Sequence, residues 1–401
     1  MYLITGNKAE CCGCTACQQI CTHGSITMQA DEDGFIFPVK DLSTCTNCGL
    51  CERVCPFAHP HFESPPKHVY ATMAKSLEVR TNSSSGGLFY LLASKIIEQG
   101  GIVYGAILDA KMQVRHVSAE TIDELKPIRG SKYVQSSLGE TYREIRSHLR
   151  NGRTVYFTGV GCQVAGLKEF LMKPYENLIT SDLVCHGVPP QKLFDEHISY
   201  LEAEHNGKVI DYKFRNNATW GGCEKVSVLN SSDHTKTYTL PTYDLSPYLY
   251  SFMYSMVNRL SCYACPFAKV PRQGDITLAD YWGIAKFFPN LDSSKGVSLI
   301  VVNTDHGEQM LSAIKDKLIL NESNIDDAAK YNGNLVHKTN MPPIRRTVFQ
   351  TIREKGYPEV ARTIFRPSNY YRLLIKERIK SSLGDKNLKM IKAILKKLKI
   401  R

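Results

Sequence analysis

The sequence predicts an α+β protein in three parts: a small cysteine-rich module over residues 1–60, a mixed α/β domain over 67–330, and a basic, mostly helical extension over 331–401. Three observations carry this expectation. Nine of the fourteen cysteines fall between residues 11 and 55. From residue 67 onward, apolar runs of strand length alternate with stretches of helix length, the pattern of a sheet covered by helices. Beyond about residue 369, apolar and basic residues alternate at helical spacing.

The module comes first. Cys11-x2-Cys14-x2-Cys17-x3-Cys21 is followed by Cys45-x2-Cys48-x2-Cys51-x3-Cys55, closed by Pro56. This is the spacing of bacterial two-cluster ferredoxins. Three cysteines two residues apart wrap a tight loop around three corners of a cubane, and the fourth ligates the other cluster. Cys11, Cys14, Cys17 and Cys55 are therefore assigned to one 4Fe–4S cluster, and Cys45, Cys48, Cys51 and Cys21 to a second. Cys21-Thr22 stands where such motifs usually read Cys-Pro, which weakens a turn preference and removes no ligand. Zinc and disulfides are the alternatives, but a structural zinc site needs only two Cys-x2-Cys pairs. Thiolate ligands require a reducing compartment, so the cytoplasm is the expected home.

Between the runs, residues 29–41 read as a hairpin with its turn at Asp33-Gly34. Ala58 to Pro66 is a Pro-rich linker in which His59 and His61 have no partner pattern for a metal. Thr81 to Gly87 is a polar turn that leads into a helix over 88–99, closed by Gly100-Gly101. Residues 102–108 and 114–119 read as paired strands with a turn near Ala110-Lys111. Further strands are expected at 154–159, 177–184, 275–283 and 298–304, with helices at 139–150, 162–172, 189–203 and 306–318.

Composition is ordinary for a globular protein, with 43% hydrophobic and 22% charged residues. No window approaches the roughly 18 apolar residues of a membrane-spanning helix, and MYLITGNKAE lacks the features of a signal peptide. The net charge of +11 is unevenly placed. Residues 1–60 carry three Lys+Arg against six Asp+Glu, whereas 331–401 carry eighteen against four. The basicity belongs to the tail, and no nucleic-acid-binding signature accompanies it. In the tail Leu388, Ile391, Leu395 and Leu398 share one helix face among lysines. That face suits either peripheral contact with an anionic membrane or docking on the body or a partner.

Five cysteines remain outside the module. Cys262-x2-Cys265 is closed by Pro266, while Cys162 and Cys185 each follow a predicted strand, at the end where α/β folds gather ligands. These four can close around a third 4Fe–4S cluster; buried structural thiols are the alternative. Cys12 and Cys223 stay unassigned. Gly159-Val160-Gly161 through Gly166 resembles a dinucleotide fingerprint but is G-x-G-x4-G, with Val164 where glycine is needed. What survives is a helix N-terminus that favours a phosphate. The Ser83–Gly87 turn offers another such place, and Lys132 with Ser131 and Tyr133 offers a cation beside hydroxyls.

The stretches SSSGG (83–87), GSKYVQS (130–136), TGVGCQ (158–163), DLVCHGVP (182–189), CYACPFA (262–268), GDITLADYWG (274–283) and KGVS (295–298) resemble the coenzyme F-420 hydrogenase/dehydrogenase beta-subunit family. The resemblance covers about residues 70–305. It implies bound FAD and a 4Fe–4S cluster within the catalytic domain. Carried over to this sequence, it makes Ser84, Ser85, Gly86, Gly87, Lys132, Thr158, Gly159 and Gln163 the flavin candidates. Gly161 and Ala279 depart from the family's usual proline and glycine. The expected activity is that of an FAD-dependent iron–sulfur oxidoreductase. It would move electrons between a small hydride donor or acceptor, such as the deazaflavin F-420, and a one-electron carrier or partner oxidoreductase. His186, beside Cys185, is expected either to donate a proton near the flavin or to fix the Cys185 loop. The other expectation is an electron-transfer subunit with no substrate of its own.

Overall fold

The computed structural model describes residues 1–60, 65–216, 223–377 and 379. In the cysteine-rich module, β1 (Ile26–Ala30) and β2 (Ile36–Lys40) form an antiparallel hairpin in which Ala30 faces Ile36. Its turn places Gly34 at φ +88°, as the Asp33-Gly34 pair led us to expect. Short helices at Ala16–Ile20 and Leu50–Arg53 carry the cysteine runs.

The main sheet contains eight strands: β3 (His68–Ala74), β4 (Ile102–Leu108), β5 (Val114–Ala119), β6 (Val155–Val160), β7 (Leu178–Leu183), β11 (Ile276–Asp280), β12 (Ser298–Val302) and β13 (Leu318–Glu322). A separate antiparallel sheet holds β8 (Gly207–Lys213), β9 (Lys225–Asn230) and β10 (Thr235–Thr239). The order in the main sheet is β13-β3-β12-β11-β7-β6-β4-β5. β4, β6, β7 and β11 are parallel neighbours or share a parallel neighbour, and β12 is antiparallel to both β11 and β3. The carboxyl ends of β3, β4, β6, β7 and β11 therefore lie along one edge, where open α/β sheets bind their ligands.

Central strands are apolar on both faces because helices cover both. Leu88–Glu98 and Asp305–Ser312 pack on the side of Tyr156, Ile300 and Val302. Thr141–Arg150 and Gly161–Leu171 pack on the side of Ile102, Tyr104, Val155 and Phe157. The cysteine-rich module joins this second layer. Gln19, buried in its first helix, accepts from the Tyr142 backbone N–H at 2.8 Å, and Arg143 Nη2 donates to the Cys21 carbonyl at 3.1 Å. Gly166 is the contact point: a Cβ there would lie 3.0 Å from Cys14 Sγ. The third glycine of the G-x-G-x4-G pattern thus admits the module against the sheet layer.

The small sheet packs with Gln191–His205, Arg345–Lys355 and Tyr357–Thr363 in a core that also takes in Phe35 and Phe37 of the hairpin. Inside it, Glu224 accepts from Tyr212 Oη at 2.7 Å and Ser246 Oγ at 2.5 Å, and pairs with His197 at 3.2 Å. Residues 345–363 are thus an integral layer.

The expected elements from 88 to 205 and from 275 to 304 are present with ends within about two residues, except that the strand expected over 275–283 stops at Asp280. One helix is also corrected. The helix expected over 306–318 ends at Ser312, a 3-10 turn spans Lys315–Lys317, and Leu318 opens β13. The free edge of β3 supplies the backbone partners that end the helix. β3, β8–β10 and β13 lie outside the strands expected from periodicity; β8 and β10 are largely exposed, with too little apolar alternation to register. His61 and the Leu388, Ile391, Leu395, Leu398 face lie outside the described residues. Among the described residues no helix is long and apolar enough to cross a membrane.

Candidate metal centres

All fourteen cysteines are free of disulfide bonds. Cys11, Cys14, Cys17 and Cys55 line one pocket, together with Cys12 and Phe57. Cys162, Cys185, Cys262 and Cys265 line a second, again with Cys12 and Phe57. The strands explain the second gathering. β6 delivers Cys162 onto a helix N-terminus, and neighbouring β7 ends two residues before Cys185. The loop preceding β11 then folds Cys262 and Cys265 over both. Cys48 is exposed, and Cys21, Cys45 and Cys51 are half-buried. Cys223 sits in the core beside the small sheet, at neither pocket.

The thiols suit iron–sulfur chemistry. Burial pushes the Cys262 thiol up to about 12 and Cys185 up to about 11, and nearby thiolate charge adds to both. Burial likewise raises Cys17, with Cys14, Cys11 and Cys55 adding. Such sulfurs become thiolates when a bound cation displaces the proton. Backbone N–H groups already point at them: Gly187 donates to Cys185 Sγ at 3.3 Å, and Phe267 and Ala268 face Cys265. Hydrogen bonds to sulfur are among the features that tune cluster potential. Among the described residues no three His, Cys, Asp or Glu groups are set to hold a single metal ion. The sulfurs around a cubane stand farther apart than those around one zinc.

Two buried arginines stand beside the pockets. Arg272 Nη2 donates to Asp182 at 2.6 Å and to the Leu183 carbonyl at 3.1 Å, while Nη1 donates to the Phe267 carbonyl at 3.1 Å. Asp182 also accepts from Thr277 Oγ1 at 2.6 Å. This network ties the Cys265 loop to β7. Arg259, wholly buried, donates to the Cys11 carbonyl at 2.6 Å, the Ile36 carbonyl at 2.8 Å and Cys11 Sγ at 3.4 Å. The Cys12 thiol, between the pockets, is within hydrogen-bonding reach of both Cys14 and Cys162. Sequence reasoning passed over Cys12, Arg259, Arg272 and Asp182. The doubled Cys11-Cys12 was the single available hint.

The flavin candidates share the carboxyl edge, and several have structural duties there. Ser84 Oγ accepts from the Ser131 N–H at 3.0 Å, which joins two of the matching stretches. Ser85 Oγ donates to the Val297 carbonyl at 3.1 Å. Gly86 lies so close to the sheet that a Cβ would meet the Thr72 carbonyl at 2.6 Å, and Gly87, at φ +91°, caps the Leu88–Glu98 helix. Lys132 Nζ donates to the carbonyls of Pro127, Ile128 and Arg129, and burial brings its pKa down to about 7. The Thr158 carbonyl is bonded to His116 Nε2 at 3.1 Å. Gln163 Oε1, beside Gly159, accepts from the Val160 N–H at 3.1 Å and its Nε2 donates to Ser136 at 3.0 Å. The His186 carbonyl accepts from Asn258 at 2.9 Å and Thr339 at 3.0 Å, while its ring lies near Phe252.

Known proteins align with both regions. Residues 152–328 match the family described as the C terminus of the coenzyme F420 hydrogenase/dehydrogenase beta subunit, and residues 10–59 match a 4Fe-4S dicluster domain. A curated relative, one of the subunits of the F(420)H(2) dehydrogenase of Methanosarcina mazei, is 22% identical over 164 residues. That alignment takes in 38% of this chain and 46% of the relative, so it spans less than half of that protein. A chain of the F420-reducing [NiFe] hydrogenase complex from Methanosarcina barkeri aligns at 18% identity and a TM-score of 0.43, over 73% of this chain and 90% of the other.

Proposed function

We propose that this chain, which carries the beta-subunit domain of the coenzyme F420 hydrogenase/dehydrogenase family behind a 4Fe-4S dicluster domain, is an iron–sulfur flavoprotein oxidoreductase. It would move electrons between a hydride-exchanging organic coenzyme of the deazaflavin type, at FAD, and a one-electron carrier or partner oxidoreductase. FAD exchanges two electrons as hydride and iron–sulfur clusters exchange one, so a protein holding both converts between the two modes.

One observation carries the reading. Two cysteine quartets open on pockets that share the walls Cys12 and Phe57. Cys162, Cys185, Cys262 and Cys265 would hold the inner end of the path at the sheet edge. Cys11, Cys14, Cys17 and Cys55 would hold its middle, and Cys21, Cys45, Cys48 and Cys51 the outward end. Phe57 packs edge-on to Phe267 at 5.5 Å across the seam. At the sheet edge Ser84, Ser85, Gly86, Gly87, Thr158 and Gly159 would border the flavin.

A second reading, an electron-transfer subunit without its own substrate, is favoured by Lys132 and Gln163, whose polar groups are engaged by the protein itself. One experiment separates the two. Protein purified without oxygen is assayed for iron, sulfide and extractable FAD, then titrated with F-420H2, NADH, NADPH and reduced ferredoxin while flavin absorbance is followed. Near one FAD per chain, bleached by one of these donors, is the expected outcome. Clusters without flavin would establish the second reading, and protein with zinc and no iron would remove both.

A further inference from the structure

Arg259 carries a charge it cannot shed, since a guanidinium stays protonated in proteins. It has no solvent access, and among the described residues its hydrogen bonds go to no carboxylate. Its partners are the carbonyls of Cys11 and Ile36, the amide oxygen of Gln135 at 3.3 Å and the face of Phe37, 4.2 Å from its ring centre. All are neutral, and an isolated buried charge is costly. The group it touches that becomes an anion on binding a cluster is Cys11, whose sulfur accepts from Nη2 at 3.4 Å. Gly13 in the same loop, at φ +70°, permits this approach: a Cβ there would lie 3.2 Å from Nη1. Arg259 also lines the pocket of Cys162, Cys185, Cys262 and Cys265.

We propose that Arg259 is the buried counter-charge of the cluster held by Cys11, Cys14, Cys17 and Cys55, making it easier to reduce than it would otherwise be and so drawing electrons from the sheet edge into the ferredoxin module. This rests on the reading that both quartets hold clusters. Reduction by one electron adds negative charge to the thiolate-held cluster, and a cation in hydrogen-bond contact stabilises the reduced form. The contrast with Arg272 sharpens the assignment. Its charge is paired with Asp182, and its bonds to the Phe267 and Leu183 carbonyls brace a loop.

The test is an EPR-monitored redox titration, with reductant supplied through mediators, of wild type, Arg259→Met and Arg259→Lys, alongside iron and sulfide analysis. In Arg259→Met the inner ferredoxin signal, identified by its perturbation in Cys14→Ser, is expected at a lower midpoint. At the wild-type midpoint its reduced-to-oxidised ratio should fall about tenfold. Arg259→Lys should stay nearer wild type, and the signal from the outward site should not move. Unchanged midpoints with full iron content, or equal shifts in Met and Lys, would overturn the proposal. Should Arg259→Met not accumulate, pulsed EPR of wild type labelled with ¹⁵N-arginine decides: an arginine nitrogen coupling on the inner signal supports the assignment, and its absence overturns it. Wild type devoid of iron would instead defeat the cluster reading itself.

Discussion

The two pockets each gather a quartet of thiols, and they do so by opposite means. Cys11, Cys14 and Cys17 come from one loop and Cys55 from a partner motif in the same small module, so short-range spacing does the positioning. Cys162, Cys185, Cys262 and Cys265 are spread over about a hundred residues and meet because β6, β7 and the approach to β11 are neighbours. Their arginines differ in parallel: Arg259 has neutral partners, whereas Arg272 has Asp182. A locally built site can recruit a bare charge from elsewhere. A site built by the sheet needs an ion pair to hold its loop in place.

The sharpest way to break this comparison is to remove one thiol from each quartet. Cys262→Ala is expected to lose about four iron and four sulfide per chain while the signals of the ferredoxin module persist. Loss of all iron would mean that the pockets are not independent. Next in size is Asp182→Leu, which strands Arg272 and should destabilise the fold by about 3–5 kcal/mol in urea unfolding. The same measurement on Asp182→Asn should show a smaller loss, because the remaining amide oxygen can still accept from Arg272.

His116 tests the shared wall of the sheet. Burial lowers its pKa to about 4, although the bond to the Thr158 carbonyl works the other way. Between pH 6.5 and 4 the unfolded chain binds a proton that the native one refuses, so stability is fully present above 6.5 and falls with pH through that window. The contribution is about 3 kcal/mol at most. His116→Phe should flatten that slope in urea unfolding at pH 7 and pH 5. Gly166→Ala gives the smallest effect, about 1–3 kcal/mol, because the methyl group crowds Cys14 and Tyr142. It should also perturb the inner ferredoxin EPR signal more than the outward one.

Much of this was legible before the structure. The strands at 102–108 and 114–119, the helix from Leu88 and the hairpin turn at Gly34 follow from periodicity and turn chemistry, which are local. The helix expected beyond Ser312 failed because β3 offered an edge, and nothing near Leu318 in sequence records that. The flavin candidates were legible as motifs, but not the work they do: Gln163 and Lys132 resemble ligand groups in sequence and bond the protein's own backbone in space.

The sequence by itself determined the ferredoxin module, since cubane ligation is written in spacings of two and three residues. It also determined the parallel strand and helix alternation that places Cys162 and Cys185 at strand ends. Tertiary structure alone decided that the two quartets share a wall at Cys12 and Phe57, and that Arg259 reaches from residue 259 to the Cys11 sulfur. The reason is physical: a buried charge finds its partner by distance in space, and 248 residues of intervening chain leave no periodic trace of that pairing.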